Sequence, residues 1–146
     1  MADIFHQVGV KTTIEHSYTA LTSLNGLSAW WTKCTGETGI GNQLYFHFGE
    51  HVIEMTIEEL NPRQKVVWRC SVKEGEWKDT LISYNLLATD EQVFINFSHT
   101  LWAEQSDLCS HCSSKWAVFL ISLKNYLETG AGQPFPNDIE INHHDG

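Results

Sequence analysis

The stretch "SDLCSHCSSKWAVFLISLKNYLETGAGQP", residues 106–134, decides how the rest of the chain is read. Two cysteines and a histidine at its head suggest a metal or redox centre, yet the run behind them has the periodicity of a helix. Ser106 suits an N-cap, because its hydroxyl accepts from the first free N–H groups, and Asp107 complements the positive end of the helix dipole. Leu108, Cys112, Trp116, Phe119, Leu123 and Leu127 then recur on one face at three- and four-residue intervals. Gly130 supplies the left-handed position after the last turn, and Pro134 lies just beyond. A helix over 106–129 is about 36 Å long, and seven strands spaced ~4.8 Å apart make a sheet roughly 30 Å wide. The spacing therefore predicts a helix that covers one whole face of a sheet.

The sheet is written upstream. From Gly39 to Trp102 the period is two. Leu44, Phe46 and Phe48 alternate with Tyr45 and His47, and Ile53, Met55 and Ile57 with Glu54, Thr56 and Glu58. Val66, Trp68, Cys70 and Val72 form the next apolar face, then Thr80, Ile82, Tyr84 and Leu86, then Val93, Ile95, Phe97, His99 and Leu101. One apolar and one polar face in successive strands predict an antiparallel sheet packed on a single side. Turn signals separate the strands at Asn61-Pro62, Glu74-Gly75-Glu76 and Asp90-Glu91. Before the sheet, "IFHQVGVK" (4–11) reads as a strand with Val8 and Val10 on one face. Thr12 with Glu15 has the form of a capping box, and Ile14, Tyr18 and Leu21 continue at helical spacing. Asn25-Gly26 reads as a break, and "LSAWW" (27–31) as a second short helix.

A chain of 146 residues suits one domain and buries roughly 70% of its unfolded surface. The expected domain covers residues 1–136, with 137–146 as a tail. Six Trp, seven Phe and four Tyr give that core unusually bulky rings. Nine Lys plus Arg against eighteen Asp plus Glu leave a net charge near −9, so nucleic acid is not an expected partner. The start "MADIFHQVGV" lacks the basic-then-apolar order of a signal peptide, and no run reaches the ~18 apolar residues of a membrane span. The four cysteines are then expected as reduced thiols in the cytoplasm.

Structural zinc wants ligands in two short-spaced pairs, but here only Cys109 and Cys112 are close, while Cys34 and Cys70 are isolated. His111 points about 100° away from Cys112 around a helix. A helix N-terminus does favour thiolate, but the redox motif belongs to a βαβ context and not to an antiparallel meander. Helix packing is the plainer reading, His143-His144 in the tail is equally weak as a metal site, and no metal or cofactor is expected. "GETGIGNQ" lacks the lysine and following helix of a phosphate loop. Glu54 and Glu58 share the outer face and read as solvated.

His99 and Tyr84 are the polar residues that interrupt apolar strand faces. Buried, each needs a hydrogen-bond partner. Either they are satisfied within the core, or they are the polar handles of an apolar pocket. Trp68 and Trp116 also face inward, and Trp30-Trp31 close the short helix pair.

At this point the residues carry a resemblance. "YTALTSLNGLSAWWT" (18–32), "IEELNPRQKVVWRC" (57–70), and "FSHTLWA" (97–103) followed by "SSKWAVFLISLKNYLETGAGQPFP" (113–136) resemble the domains related to the activator of the Hsp90 ATPase. These domains lie within the START/Bet v 1-like (SRPBCC) superfamily. The match runs from about residue 5 to 136. Related domains commonly carry Gly-Trp after the last strand, where this chain has Leu101-Trp102. The resemblance implies an α+β helix-grip fold: a curved antiparallel sheet of six or seven strands, two short helices after the first strand and one long C-terminal helix. It also implies a cavity between sheet and helix, for a small apolar or amphipathic molecule. The expected lining is Phe46, Met55, Trp68, Phe97, Trp116 and Phe119, with Trp30 or Trp31 at an entrance formed by the short helices. Tyr84 and His99 would orient the ligand. The alternatives are an interaction module acting on an Hsp90-type chaperone, as in a stress response, and a cyclase- or hydrolase-type enzyme with His99 as its candidate acid/base. No catalytic residue is assigned.

Overall fold

Residues 107–129 form the long helix expected of them, α3 (Asp107–Thr129), in a computed structural model that describes residues 1–142. Ser106 caps it by accepting from the Cys109 N–H at 3.1 Å, and Gly130 ends it with φ 89°. Its buried face carries Cys109, Cys112, Trp116, Phe119, Leu120, Leu123 and Leu127.

That face lies against one seven-stranded sheet in which every pairing is antiparallel, in the order β1-β7-β6-β5-β4-β3-β2. The strands are β1 (Ala2–Val10), β2 (Cys34–Gly36), β3 (Gln43–Phe48), β4 (His51–Asn61), β5 (Lys65–Cys70), β6 (Leu81–Ala88) and β7 (Val93–Trp102). Helices α1 (Ile14–Thr22) and α2 (Leu24–Trp30) connect β1 to β2. The period-two residues occupy the inner face as expected: Leu44, Phe46, Met55, Ile57, Val66, Trp68, Ile82, Tyr84, Ile95, Phe97 and His99 are buried. Sheet and helix together make the helix-grip arrangement. Among the described residues no helix is long and apolar enough to cross a membrane.

Four local expectations need correction. The cap of α1 is Thr13, whose hydroxyl accepts from the His16 N–H at 3.1 Å. Thr13 has the extended backbone that a cap requires, while Thr12 bonds the His16 ring instead. Asn25-Gly26 does not break the helices. Ser23 does, giving its N–H to Thr19 and accepting from the Gly26 N–H at 3.0 Å, so it closes α1 and opens α2. Gly26 sits inside α2, where a Cβ would lie 2.8 Å from the Ala20 Cα; its bareness lets the two helices touch.

Leu101 does not continue the inner face of β7. Ala2 pairs with Trp102 and Ile4 with His99, so β7 holds one extra residue at this point. Leu101 takes that bulge with φ 69° and stays 43% exposed, which turns Trp102 inward to complete burial. Finally, β5 stops at Cys70 and β6 starts at Leu81, leaving Val72 and Thr80 in a ten-residue loop that contains Trp77.

Candidate functional site

The space between sheet and helix is filled with rings in contact. Trp31 lies 4.3 Å from Phe46, 4.9 Å from Trp116, 6.1 Å from Trp30 and 6.2 Å from Trp68, centroid to centroid. The series continues through Trp68–Tyr84 and Tyr84–Phe97, both 5.3 Å, and Phe97–Trp116 at 4.5 Å. Met55 is fully buried among them, and Trp30 donates its indole N–H to the Ala20 carbonyl at 2.9 Å. Such offset and edge-on pairs attract beyond simple area burial.

His99 is built into this interior by both nitrogens. The Trp116 indole N–H donates to Nδ1 at 3.1 Å, which leaves the ring proton on Nε2 to donate to Thr80 Oγ1 at 2.8 Å. The Thr80 hydroxyl in turn donates to the Trp77 carbonyl at 2.6 Å. Burial lowers the imidazole pKa to about 3, so the ring is neutral. Tyr84 differs: its hydroxyl is buried without a hydrogen-bond partner among the described residues, as is the Trp102 indole nitrogen, and burial raises the phenol pKa well above its usual value.

All four cysteines are buried and free. Burial pushes Cys34 up to about 12 and both Cys70 and Cys112 up to about 11. Such thiols stay protonated, which runs against redox reactivity. Among the described residues no group of three or more His, Cys, Asp and Glu is placed to hold a metal. The His143-His144 pair lies outside the described residues.

Beside the core lies a cleft of about 180 Å³ lined by Trp31, Phe48, His51, Ile53, Trp77, His111, Cys112, Lys115, Trp116 and Phe119. Its floor is the outer edge of the ring cluster. Its walls are the β3–β4 hairpin, the Trp77 loop and the middle of α3. Trp77 stands edge-on to His99 at 4.7 Å and roughly parallel to Trp116 at 6.1 Å, so both tryptophans stand between the cleft and the His99 ring.

Of the ten residues expected to line a cavity, Trp31, Trp116 and Phe119 border this cleft. Trp30, Phe46, Met55, Trp68, Tyr84, Phe97 and His99 lie deeper and are almost wholly buried. Trp31, the C-cap of α2, is the part of the short helix pair that borders this cleft. The sequence placed Phe48 and Ile53 on inner strand faces and Cys112 on the buried helix face without assigning them to a pocket, weighed His111 only as a metal ligand, and did not single out His51, Trp77 and Lys115. Trp77 carried a signal of a different kind: a tryptophan in the charged turn "KEGEWKD" (73–79) has no strand face to serve.

On the outer face, Glu58 binds Arg69 at 2.8 Å and Glu54 accepts from the Ser71 hydroxyl at 2.9 Å, so neither is arranged as a catalytic pair.

The sequence profile described as "Activator of Hsp90 ATPase homolog 1-like protein" matches residues 11–128. The solution structure of the Aha1 dimer from Colwellia psychrerythraea superposes with a TM-score of 0.85 at 37% identity, over 90% of this chain and 100% of that one. DynU16, a protein of the dynemicin biosynthetic locus, gives 0.77 at 16% identity, over 89% of this chain and 48% of its own. CalU16 from Micromonospora echinospora gives 0.73 at 16%, over 85% and 73%. At that identity the last two share the fold alone. A comparison with curated proteins gives no match.

Proposed function

The chain belongs to the activator of Hsp90 ATPase homologue 1-like family, and on that premise we propose that it binds a small, largely apolar molecule in the cleft beside α3. The observation that carries this reading is a void walled by aromatic rings at the edge of the packed ring cluster. Apolar concavities with few polar groups are the usual form of small-molecule sites.

Size limits the ligand. A void of about 150 Å³ accepts benzene, so the 180 Å³ cleft takes one ring or a short chain. Burying ~150 Å² of apolar surface at ~25 cal/mol/Å² yields roughly 4 kcal/mol before association costs. A neutral ring alone therefore binds weakly, no tighter than about the millimolar scale. The micromolar binding that a larger cavity of ~300 Å² contact would give needs a polar contribution as well.

The test is a titration of the labelled protein with toluene followed by amide chemical shifts. The expected result is a saturable change confined to His51, Ile53, Trp77, Lys115, Trp116 and Phe119, abolished in Ile53→Trp, where the new indole occupies the cleft. Absence of any saturable change, or the same change in Ile53→Trp, overturns the reading.

A second reading, contact with an Hsp90-type chaperone, is supported by the family and by the 37% identity to an Aha1 structure. Its test is the ATPase rate of purified Hsp90 with and without the full chain. A stimulated rate supports it, and an unchanged rate at saturating chain removes it. For an enzyme using His99 as acid or base the geometry offers little, since both ring nitrogens are engaged and neither reaches the cleft.

A further inference from the structure

Resting on that cleft reading, we propose that the ligand is an aryl- or short alkyl-carboxylate, whose carboxylate replaces that of Asp138 on Lys115. The chain carries a net charge near −9, yet among the described residues no carboxylate lines the cleft. Among the described lining residues the permanent charge is the ammonium of Lys115, and the imidazoles of His51 and His111 line the same cleft. An acidic protein that keeps its acids out of one apolar cleft and places a lysine there has a site suited to an anion with an apolar body.

Lys115 stands at the junction of two spaces. It lines the cleft and also the neighbouring groove formed with Phe48, Phe119, Phe135, Asp138 and Ile141. Its Nζ lies 5.2 Å from the centre of the Phe119 ring, donates to the Ile139 carbonyl at 2.7 Å, and is ion-paired with Asp138. The side chains of the pair are only 20% and 7% exposed, so the ion pair is screened less than a surface one. Asp138 arrives from the segment after α3, where the Phe135 N–H donates to the Trp31 carbonyl at 2.7 Å and the Asn137 N–H to Pro134 at 2.8 Å.

Asp138 thus presents a carboxylate on a one-carbon stem at the edge of an aromatic void, but contributes nothing to filling it. A free carboxylate carrying a ring offers Lys115 the same charge-assisted contact and places its ring on Trp31, Trp116 and Phe119. The exchange keeps the ammonium paired and adds the burial of one ring. Glu140 lines the same groove as Asp138, so an incoming anion repels both acids and favours movement of the segment around them away from Lys115.

The experiment is isothermal titration of the full chain with phenylacetate and with its neutral isostere phenylacetamide. Phenylacetate is expected to bind about fivefold or more tightly. Lys115→Met is expected to bring the ratio of the two affinities to about one, whatever it does to either affinity alone. Asp138→Asn strengthens phenylacetate alone, about three- to tenfold, by removing the internal competitor. Equal affinities of the two compounds for the unaltered chain overturn the proposal and leave the cleft reading standing. An equal gain for both compounds in Asp138→Asn also overturns it, since the segment then acts only as a steric cover. If neither compound binds, both readings fail. Should Lys115→Met not fold, as judged by circular dichroism, the Asp138→Asn comparison decides alone.

Discussion

His99 shows what a single residue's alternation can and cannot announce. Its place behind Ile95 and Phe97 marked it as buried, and it is, but its partners Thr80 and Trp116 come from a loop and a helix that strand periodicity does not connect. Because burial lowers its pKa from 6.5 to about 3, the unfolded chain takes up this proton before the folded one does. Stability from this group is therefore complete above about pH 6.5 and declines as pH falls toward 3, by about 1.4 kcal/mol per pH unit within that window. Urea midpoints at pH 7.5 and pH 5 check this: His99→Gln, which can still accept from Trp116 and donate to Thr80, flattens the dependence. The same slope in the variant assigns it to other histidines. Tyr84 makes the opposite case, a buried hydroxyl with no partner among the described residues. Leaving such a group unsatisfied costs about 1–3 kcal/mol, so Tyr84→Phe is neutral or stabilising by about 1 kcal/mol in urea unfolding. A clear loss of stability instead reveals a partner for the hydroxyl.

Among the elements, the long helix and the strand faces were legible because their periods run unbroken for many residues, whereas the junctions turn on one residue each. Thr13 rather than Thr12 caps α1, and Ser23 rather than Asn25-Gly26 parts the helices, because either neighbour offers a suitable side chain and backbone geometry chooses between them. The three-residue β2 is too short to show a period. The bulge in β7 is the instructive failure: nothing in the alternation stops at His99, yet one inserted residue sends Leu101 out and Trp102 in. The absent glycine of the resemblance was the available signal, since position 101 has φ 69°. A left-handed conformation costs a non-glycine residue about 1–2 kcal/mol, and glycine gives back roughly 0.5–1 kcal/mol in chain entropy. The balance favours Leu101→Gly by about 0.5–1 kcal/mol, read as a melting temperature higher by a few degrees. A lower one shows that the half-exposed leucine contributes more by packing than its backbone costs.

Across the whole molecule, the sequence indicated that many rings face one another but not whether they close. That depends on where α3, the β3–β4 hairpin and the Trp77 loop come to rest, and no local pattern sets those distances. The interior closes around Phe97 and Trp68, and the gap falls at the end of the sheet beside Ile53. Two substitutions of the same kind then separate a filled interior from an open cleft. Phe97→Trp enlarges a ring already 4.5 Å from Trp116 and 5.3 Å from Tyr84, and overpacking of this sort costs about 1–3 kcal/mol. Ile53→Trp places its added atoms in the 180 Å³ void and is expected to leave stability unchanged or raised. Ligand tells the two apart again. Toluene at ten times its dissociation constant stabilises the folded state by about 1.4 kcal/mol, which raises the melting temperature by about 4 °C for a chain of this length. The shift persists in Phe97→Trp and disappears in Ile53→Trp. If Phe97→Trp is the variant that loses it, the ligand enters between sheet and helix, and the ring cluster opens to admit it.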